Sequence, residues 1–178
     1  MRFFDANDAP QNDKLVWLRW LWLSLVVIVL DQLSKHAITD AFVLGEVREI
    51  TSWFNLVLAH NTGAAFSFLA DKPGWQRPFF TAVTVVITAV LLWMLRGHHR
   101  NRLLSSALAL VIGGAMGNLI DRVRFGFVVD FIDWYVPNSS WPHWPAFNLA
   151  DSAICLGATL LILDSLRKPA AISPEAAK

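Results

Sequence analysis

Four long apolar runs alternate with polar stretches along the chain, at residues 15–30, 79–95, 103–120 and 146–163. The first holds only Arg19 as a charge, the last only Asp151, and the middle two hold none. A helix needs about 20 mainly apolar residues to cross a hydrocarbon layer about 30 Å thick. A buried helix of a soluble protein is the alternative for any single run, but four together predict membrane spans. We place them at about 15–38, 79–95, 103–120 and 146–163, the first continuing as a helix beyond its apolar run.

The segments between the runs predict a small amount of other structure. Residues 43–61 are rich in Val, Ile, Trp, Phe and Leu, which favours strands. A small sheet lying on the membrane surface could satisfy its backbone hydrogen bonds, whereas an open sheet in lipid could not. Residues 71–74 and 124–127 predict turns. Residues 135–146 hold three prolines and two tryptophans, a composition that suits an interfacial loop at the headgroup level.

The predicted fold class is therefore an all-α membrane protein, a four-transmembrane-helix bundle with a small extracytoplasmic β-sheet and an interfacial loop. Composition agrees, because 55% of the 178 residues are hydrophobic and 16% are charged, against about a quarter charged in an average soluble domain. The net charge of +1 argues against nucleic-acid binding, which needs a concentrated basic surface. The one cysteine, Cys155, excludes an internal disulfide.

Basic residues near the ends of the runs predict the orientation. Nine of the 15 Lys and Arg lie on the side of residues 1–19, the 96–102 loop and the tail. Because short cytoplasmic loops carry the excess of basic residues, both termini are expected in the cytoplasm. Residues 1–14 form a cytoplasmic arm and residues 168–178 a flexible cytoplasmic tail in this interpretation.

With that orientation, eight polar residues fall at the outer ends of the spans or at the outer interface. Ionisable groups near or within spans usually face the bundle interior and indicate a functional site. A supporting role is the alternative for most of them, since Asp31 and Lys35 have the spacing of a helix ion pair and asparagines hydrogen-bond between helices. Asp130 and Asp151 fit a supporting role less well, since each lies in apolar surroundings without an adjacent basic residue in sequence. The eight are Asp31, Lys35, Asn118, Asp121, Arg122, Asp130, Asn148 and Asp151.

The sequence gives weaker support for a metal site or a serine-lysine dyad. His36, His60 and His143 show no metal-ligand spacing, so no metal site is predicted. Ser34 and Lys35 are adjacent and would point about 100° apart on a helix, a poor serine-lysine dyad. The small residues at 113–117 permit close helix approach, and we interpret them as packing.

Five segments, in this order, resemble the lipoprotein signal peptidases (signal peptidase II), which are bacterial inner-membrane aspartyl proteases: 31–35 (DQLSK), 61–66 (NTGAAF), 114–122 (GAMGNLIDR), 126–131 (GFVVDF) and 147–151 (FNLAD). The resemblance implies that Asp130 and Asp151 are the catalytic pair, with Asp31 and Lys35 in the family's first motif. The residues that it implies shape and support the site are Asn61, Gly63, Asn118, Asp121, Arg122 and Asn148.

The same resemblance implies the substrate and setting. The family removes the signal peptide of prolipoproteins immediately before a cysteine that carries diacylglycerol. We therefore expect a prolipoprotein substrate held in membrane lipid, an active site at the periplasmic side of the inner membrane, a monomer and no cofactor. The sheet and the 135–146 loop are expected to clamp the peptide.

Two close carboxylates in a poorly hydrated pocket tend to share one proton, which supplies one acid and one base. The sequence does not assign the proton to either aspartate. A proton-coupled carrier and a non-enzymatic scaffold are the two alternatives to proteolysis. A proton-coupled carrier would need polar residues descending through the bilayer, and here they stop at one level. A non-enzymatic scaffold would use the acids only to hold helices together, and replacing each aspartate by asparagine would separate that case.

Overall fold

The computed structural model describes residues 15–63, 76–138 and 143–166. The predicted arm at 1–14, the tail at 168–178, the turn at 71–74 and residues 139–142 of the interfacial loop lie outside the described residues. All ten candidate site residues are described.

Helices form at all four apolar runs. They are α1 (Leu21–Ala41), preceded by a 3₁₀ turn at Val16–Trp20, α2 (Gln76–His98), α3 (Arg102–Arg124) and α4 (Leu149–Ser165). Among the described residues, three helices are long and apolar enough to cross a membrane: Val16–Ala41, Arg77–His98 and Arg102–Arg124. The fourth, α4, has 17 residues. It begins three residues later than predicted, because Asn148 caps it instead of lying inside it.

The packing of α3 organises the bundle, since it contacts α1, α2 and α4. Glycines permit the close approach that the sequence predicts at 113–117. A Cβ on Gly113 would lie 2.9 Å from the carbonyl oxygen of Ser24 in α1, and one on Gly114 would collide with the carbonyl oxygen of Ala150 in α4. The backbones of three helices therefore meet at this part of α3.

A three-stranded antiparallel sheet lies beyond the helix ends, in the order β1 (Val47–Thr51), β2 (Phe54–Asn61), β3 (Val128–Trp134). The strands expected within 43–61 are β1 and β2, and this prediction is confirmed. The third strand was not predicted. It follows the expected turn after α3, where Gly126 has a φ of +87°. Pairing of β2 with β3 places Ala59 opposite Asp130 and Asn61 opposite Val128.

Residues 143–148, the return segment, run beside β3 and lead into α4. The amide of Trp144 donates to Trp134 O at 2.8 Å, and Phe147 and Ile132 exchange backbone hydrogen bonds of 3.1 and 2.8 Å. The return segment thus behaves as a short extension of the sheet that ends at the first turn of α4. Overall, the chain is mostly helical with a small sheet, as the predicted fold class requires.

Candidate active site

A buried cluster of charges joins α1 to α3. The ammonium of Lys35 lies 2.9 Å from Asp31 Oδ2 and 2.9 Å from Asp121 Oδ2, and all three residues are at most 3% exposed. The ion pair predicted from the spacing of Asp31 and Lys35 is present. The third N–H of Lys35 donates to Asn118 Oδ1 at 2.9 Å. An ammonium has three donors, so each one has an acceptor here.

The two carboxylates of this cluster also accept main-chain N–H groups. The amide of Ala150 donates to Asp31 Oδ1 at 2.9 Å, and the amide of Val129 donates to Asp121 Oδ2 at 3.1 Å. Gln32 donates to Asp121 Oδ1 at 2.9 Å. Buried charges are costly unless they are paired and hydrogen-bonded, and these are both. The cluster therefore fixes α1, α3, β3 and the start of α4 relative to one another.

Glycine at position 117 makes room for this cluster. A Cβ there would lie 2.6 Å from Asp31 Oδ2. The carboxylate of Asp31 therefore fits against α3 at this position because Gly117 has no side chain.

Asn118 links Lys35 to Asp151, because its side-chain carboxamide hydrogen-bonds to both residues. Because the carboxamide oxygen of Asn118 accepts from Lys35, its Nδ2 faces away and donates to Asp151 Oδ1 at 2.8 Å. Asn148 holds the same aspartate through a reciprocal cap. Its Oδ1 accepts from the Asp151 amide at 2.9 Å, and its own amide donates to Asp151 Oδ2 at 3.2 Å. This capping box fixes the carboxylate of Asp151 at the first turn of α4.

The side chain of Asn148 reaches Asp130 as well. Its Nδ2 donates to Asp130 Oδ1 at 2.7 Å and also lies 3.2 Å from the carbonyl oxygen of Val129. The other oxygen of Asp130, Oδ2, accepts from Asn61 Nδ2 at 2.9 Å. Asn61 is oriented by the amide of Gly63, which donates to its Oδ1 at 3.1 Å. The structure thus brings Asp130 and Asp151 to the two sides of one asparagine.

The electrostatic environment of Asp130 favours its protonated form. The residue is 2% exposed, and this burial raises the pKa of Asp130 to about 7, with a further contribution from the charge of Asp151. The hydrogen bonds from Asn61 and Asn148 act in the opposite direction. A carboxyl group with a pKa near neutrality can donate or accept a proton at physiological pH.

The remaining predicted residue, Arg122, lies at the end of α3 within electrostatic reach of Asp130 and Asp151. Its guanidinium is 5.6 Å from the ring centroid of Phe80 in α2. All ten predicted residues therefore gather at one end of the bundle, between the helix ends and the sheet.

The three histidines lie in three different places. His36 is 3.4 Å from Asp40 on α1, His60 stacks on Phe127, and His143 contacts Asp133. In the described part of the chain, no group of three or more His, Cys, Asp or Glu side chains has the arrangement of a metal site. Two carboxylates that are both hydrogen-bonded by one asparagine are chemically suited to accepting and donating protons.

Several contributors to the site were missed from the sequence. Gln32 lies within the 31–35 segment, and its position next to Asp31 could have indicated its part in the site. The amides of Val129 and Ala150 leave no signal, because any residue except proline supplies one.

The chain is similar to proteins of one family over most of its length. Residues 23–167 match the family model for signal peptidase (SPase) II. A lipoprotein signal peptidase of Cupriavidus necator is 54% identical over 166 residues, covering 92% of this chain and 93% of that relative. One from a Janthinobacterium species is 52% identical over 167 residues, covering 94% and 95%. A solved structure described as a bacterial membrane enzyme is 29% identical, with a TM-score of 0.75 over 87% of this chain and 94% of that one.

Proposed function

The chain belongs to the signal peptidase II family, membrane proteases that remove signal peptides from prolipoproteins, and from this premise we propose that it is an aspartic endopeptidase with Asp130 and Asp151 as its catalytic residues. The observation that carries the proposal is the bridge through Asn148, which hydrogen-bonds to both carboxylates. The bond that it cuts precedes the diacylglyceryl-modified cysteine.

In the proposed mechanism the two aspartates differ in protonation. Asp130 is protonated at rest, consistent with its burial and its pKa of about 7. Asp151 is ionised, and its two oxygens accept N–H groups of Asn118 and Asn148. A water molecule attacks the scissile carbonyl carbon. Asp151 takes a proton from that water, and Asp130 donates its proton to the carbonyl oxygen.

The tetrahedral intermediate then collapses. Asp151 returns its proton to the nitrogen of the lipidated cysteine, the C–N bond breaks, and Asp130 regains a proton from the intermediate's hydroxyl. General acid-base catalysis of this kind typically contributes about 10² to 10⁴-fold. The reaction consumes one water and needs neither a cofactor nor a covalent intermediate on the protein.

The supporting residues have separate roles in this proposal. Asn61 and Gly63 orient Asp130, while Lys35 and Asn118 orient Asp151. The guanidinium of Arg122 balances negative charge on the pair, and Asp31 and Asp121 hold Lys35 in place.

The membrane setting follows from the position of the pair. We propose α4 as a fourth span, since 17 helical residues extend about 26 Å, close to the thickness of the hydrocarbon layer. Both termini then lie in the cytoplasm and the site opens to the periplasmic side of the inner membrane. The acyl chains of the substrate stay in the outer leaflet and hold the scissile bond at that depth, where the sheet and the 135–146 loop clamp the peptide. The enzyme acts as a monomer.

Cleavage of a purified substrate tests this function. The protein in phospholipid nanodiscs is incubated with a diacylglyceryl-modified prolipoprotein and with its unmodified form, and release of the signal peptide is followed by mass spectrometry. We expect cleavage of the modified form only. Equal cleavage of both forms would remove the lipid specificity from the proposal.

Two variants separate proteolysis from a scaffold role for the acids. Asp130→Asn and Asp151→Asn should each abolish cleavage while the protein remains inserted and folded. Asp40→Asn is the matched control, because Asp40 is an exposed acid near the end of α1, in contact with His36. Retained cleavage in either active-site variant would exclude the two-aspartate mechanism.

A further inference from the structure

A second polar cluster lies farther along β3 from Asp130. Asp133 is 8% exposed and accepts from Asn55 Nδ2 at 2.8 Å. His143 Nδ1 lies 3.0 Å from both oxygens of the same carboxylate. The imidazole stacks on the ring of Tyr135, with centroids 4.7 Å apart and planes 10° apart. A histidine with both a carboxylate and an aromatic partner is held in one orientation, although its side chain is 58% exposed.

This cluster lies at the opposite end of the return segment from the aspartate pair. His143 is the first residue of that segment and Asn148 is the last. Between them, Trp144 and Phe147 donate their amides to Trp134 and Ile132 of β3. The segment is therefore attached to β3 along its length, by His143 at one end and by the hydrogen bonds of Asn148 to Val129 and Asp130 at the other.

We propose that His143 is a positioning residue, which fastens the return segment to Asp133 and so holds Asn148 between Asp130 and Asp151, more firmly when the imidazole is protonated. The effect on cleavage rests on the proposed function, whereas the effect on the return segment does not. His143 does not contact the reacting atoms and acts only through Asn148.

The chemistry of the pair gives the direction of the effect. A protonated imidazole forms an ion pair with Asp133, and a neutral one keeps only a hydrogen bond from Nδ1. Among the described residues, the titratable groups facing His143 are Asp133 of β3 and Tyr135, and the charge of Glu49 in β1 reaches Tyr135. Pairs this exposed typically contribute up to about 1 kcal/mol, so we expect effects of about two- to fivefold.

Amide hydrogen exchange of the full chain in nanodiscs measures the fastening directly. The probes are the amides of Trp144 and Phe147, and their protection factors are measured at about pH 5.5 and about pH 8. The ratio of protection in the wild type to protection in His143→Gln should be about two- to fivefold greater at the lower pH than at the higher pH. His143→Lys keeps a permanent cation and should retain more protection than His143→Gln at both values.

His36→Gln is the matched control, because His36 also contacts an acid, Asp40, but lies on α1 away from the return segment. It should behave as the wild type. Since pH also changes global stability through Asp130, the difference between wild type and His143→Gln isolates the local effect. Equal protection in wild type and His143→Gln at both pH values would overturn the proposal.

Kinetics extend the test to catalysis. At about pH 5.5, His143→Gln should lower kcat about two- to fivefold with KM unchanged, and His143→Lys should recover part of the loss. A change confined to KM would show that His143 contacts substrate instead, which also overturns the positioning role. If the exchange difference is present but the wild type cleaves no prolipoprotein, the proposed function fails and the fastening of the return segment stands.

Discussion

Asn148 Nδ2 lies 2.7 Å from Asp130 Oδ1, the shortest of the hydrogen bonds that this asparagine makes. The same residue caps α4 through Asp151. The side chain of Asn148 thus caps α4 and holds the carboxylate of Asp130, while its main-chain amide donates to the carboxylate of Asp151. The start of α4 and the placement of both carboxylates therefore depend on one residue.

Replacing Asn148 by alanine should therefore reduce activity more than stability. Loss of an N-cap costs about 0.5–2 kcal/mol of folding free energy. Alanine keeps the main-chain amide that donates to Asp151 but removes the hydrogen bond to Asp130, and this loss should lower kcat by at least about tenfold. The measurements are thermal unfolding in nanodiscs and cleavage kinetics. Asn101→Ala is the control, since Asn101 caps α3 through the amides of Leu103 and Leu104. It should lose similar stability and retain kcat; equal kcat losses in both variants would contradict the bridging role.

Replacing Lys35 by methionine should destabilise the fold strongly. The carboxylates of Asp31 and Asp121 would remain buried without their cation, and breaking a buried ion pair in this way costs about 3–5 kcal/mol. Chemical unfolding in mixed micelles measures the loss. Adding Asp31→Asn to Lys35→Met should restore part of it, because one uncompensated charge is removed. A double variant no more stable than Lys35→Met would argue against charge imbalance as the cause.

The titration of Asp130 predicts how stability and activity depend on pH. Its folded pKa of about 7 lies above the ordinary value of 3.8, so its contribution to stability is full below about pH 3.8 and is lost as pH rises through about 7. The stability of Asp130→Asn relative to wild type should therefore increase over this range, by something on the order of 4 kcal/mol. In the wild type, kcat should fall above about pH 7, where the acid loses its proton.

Parallel unfolding curves of Asp130→Asn and wild type at several pH values check the stability part. If the stability difference between Asp130→Asn and wild type did not depend on pH, the folded protein would not favour the protonated form of Asp130. Reversed behaviour of kcat, rising above neutrality, would assign the acid role elsewhere.

Gly117→Ala should destabilise the protein by about 1–3 kcal/mol, as overpacking of a close contact typically does. The added Cβ would lie 2.6 Å from Asp31 Oδ2 and displace a carboxylate that holds Lys35. Gly97→Ala is the control, because a Cβ at that position of α2 meets nothing within 4 Å. It should leave thermal stability unchanged or slightly higher. Equal stability of the two variants would show that α1 can shift away from α3 without cost.

The sequence predicted the helices, two of the strands and the pair of Asp31 with Lys35, since each of these depends on local spacing. It did not predict β3, because Val128, Val129 and Phe131 are all buried and the segment lacks the alternation of a half-exposed strand. The return segment was missed because its backbone hydrogen bonds depend on β3. The proximity of Asp130 and Asp151 was expected from a resemblance, and their separation of 21 positions gives no geometric signal by itself.

Asp151 lies in the first turn of the last described helix, so the aspartate pair is assembled from the final third of the chain. A ribosome that has released β3 into the translocation machinery has made Asp130 but not its partner. Because chains are synthesised from the N-terminus at about 5–20 residues per second, the proposed catalytic pair is incomplete until α4 has emerged and packed against α3.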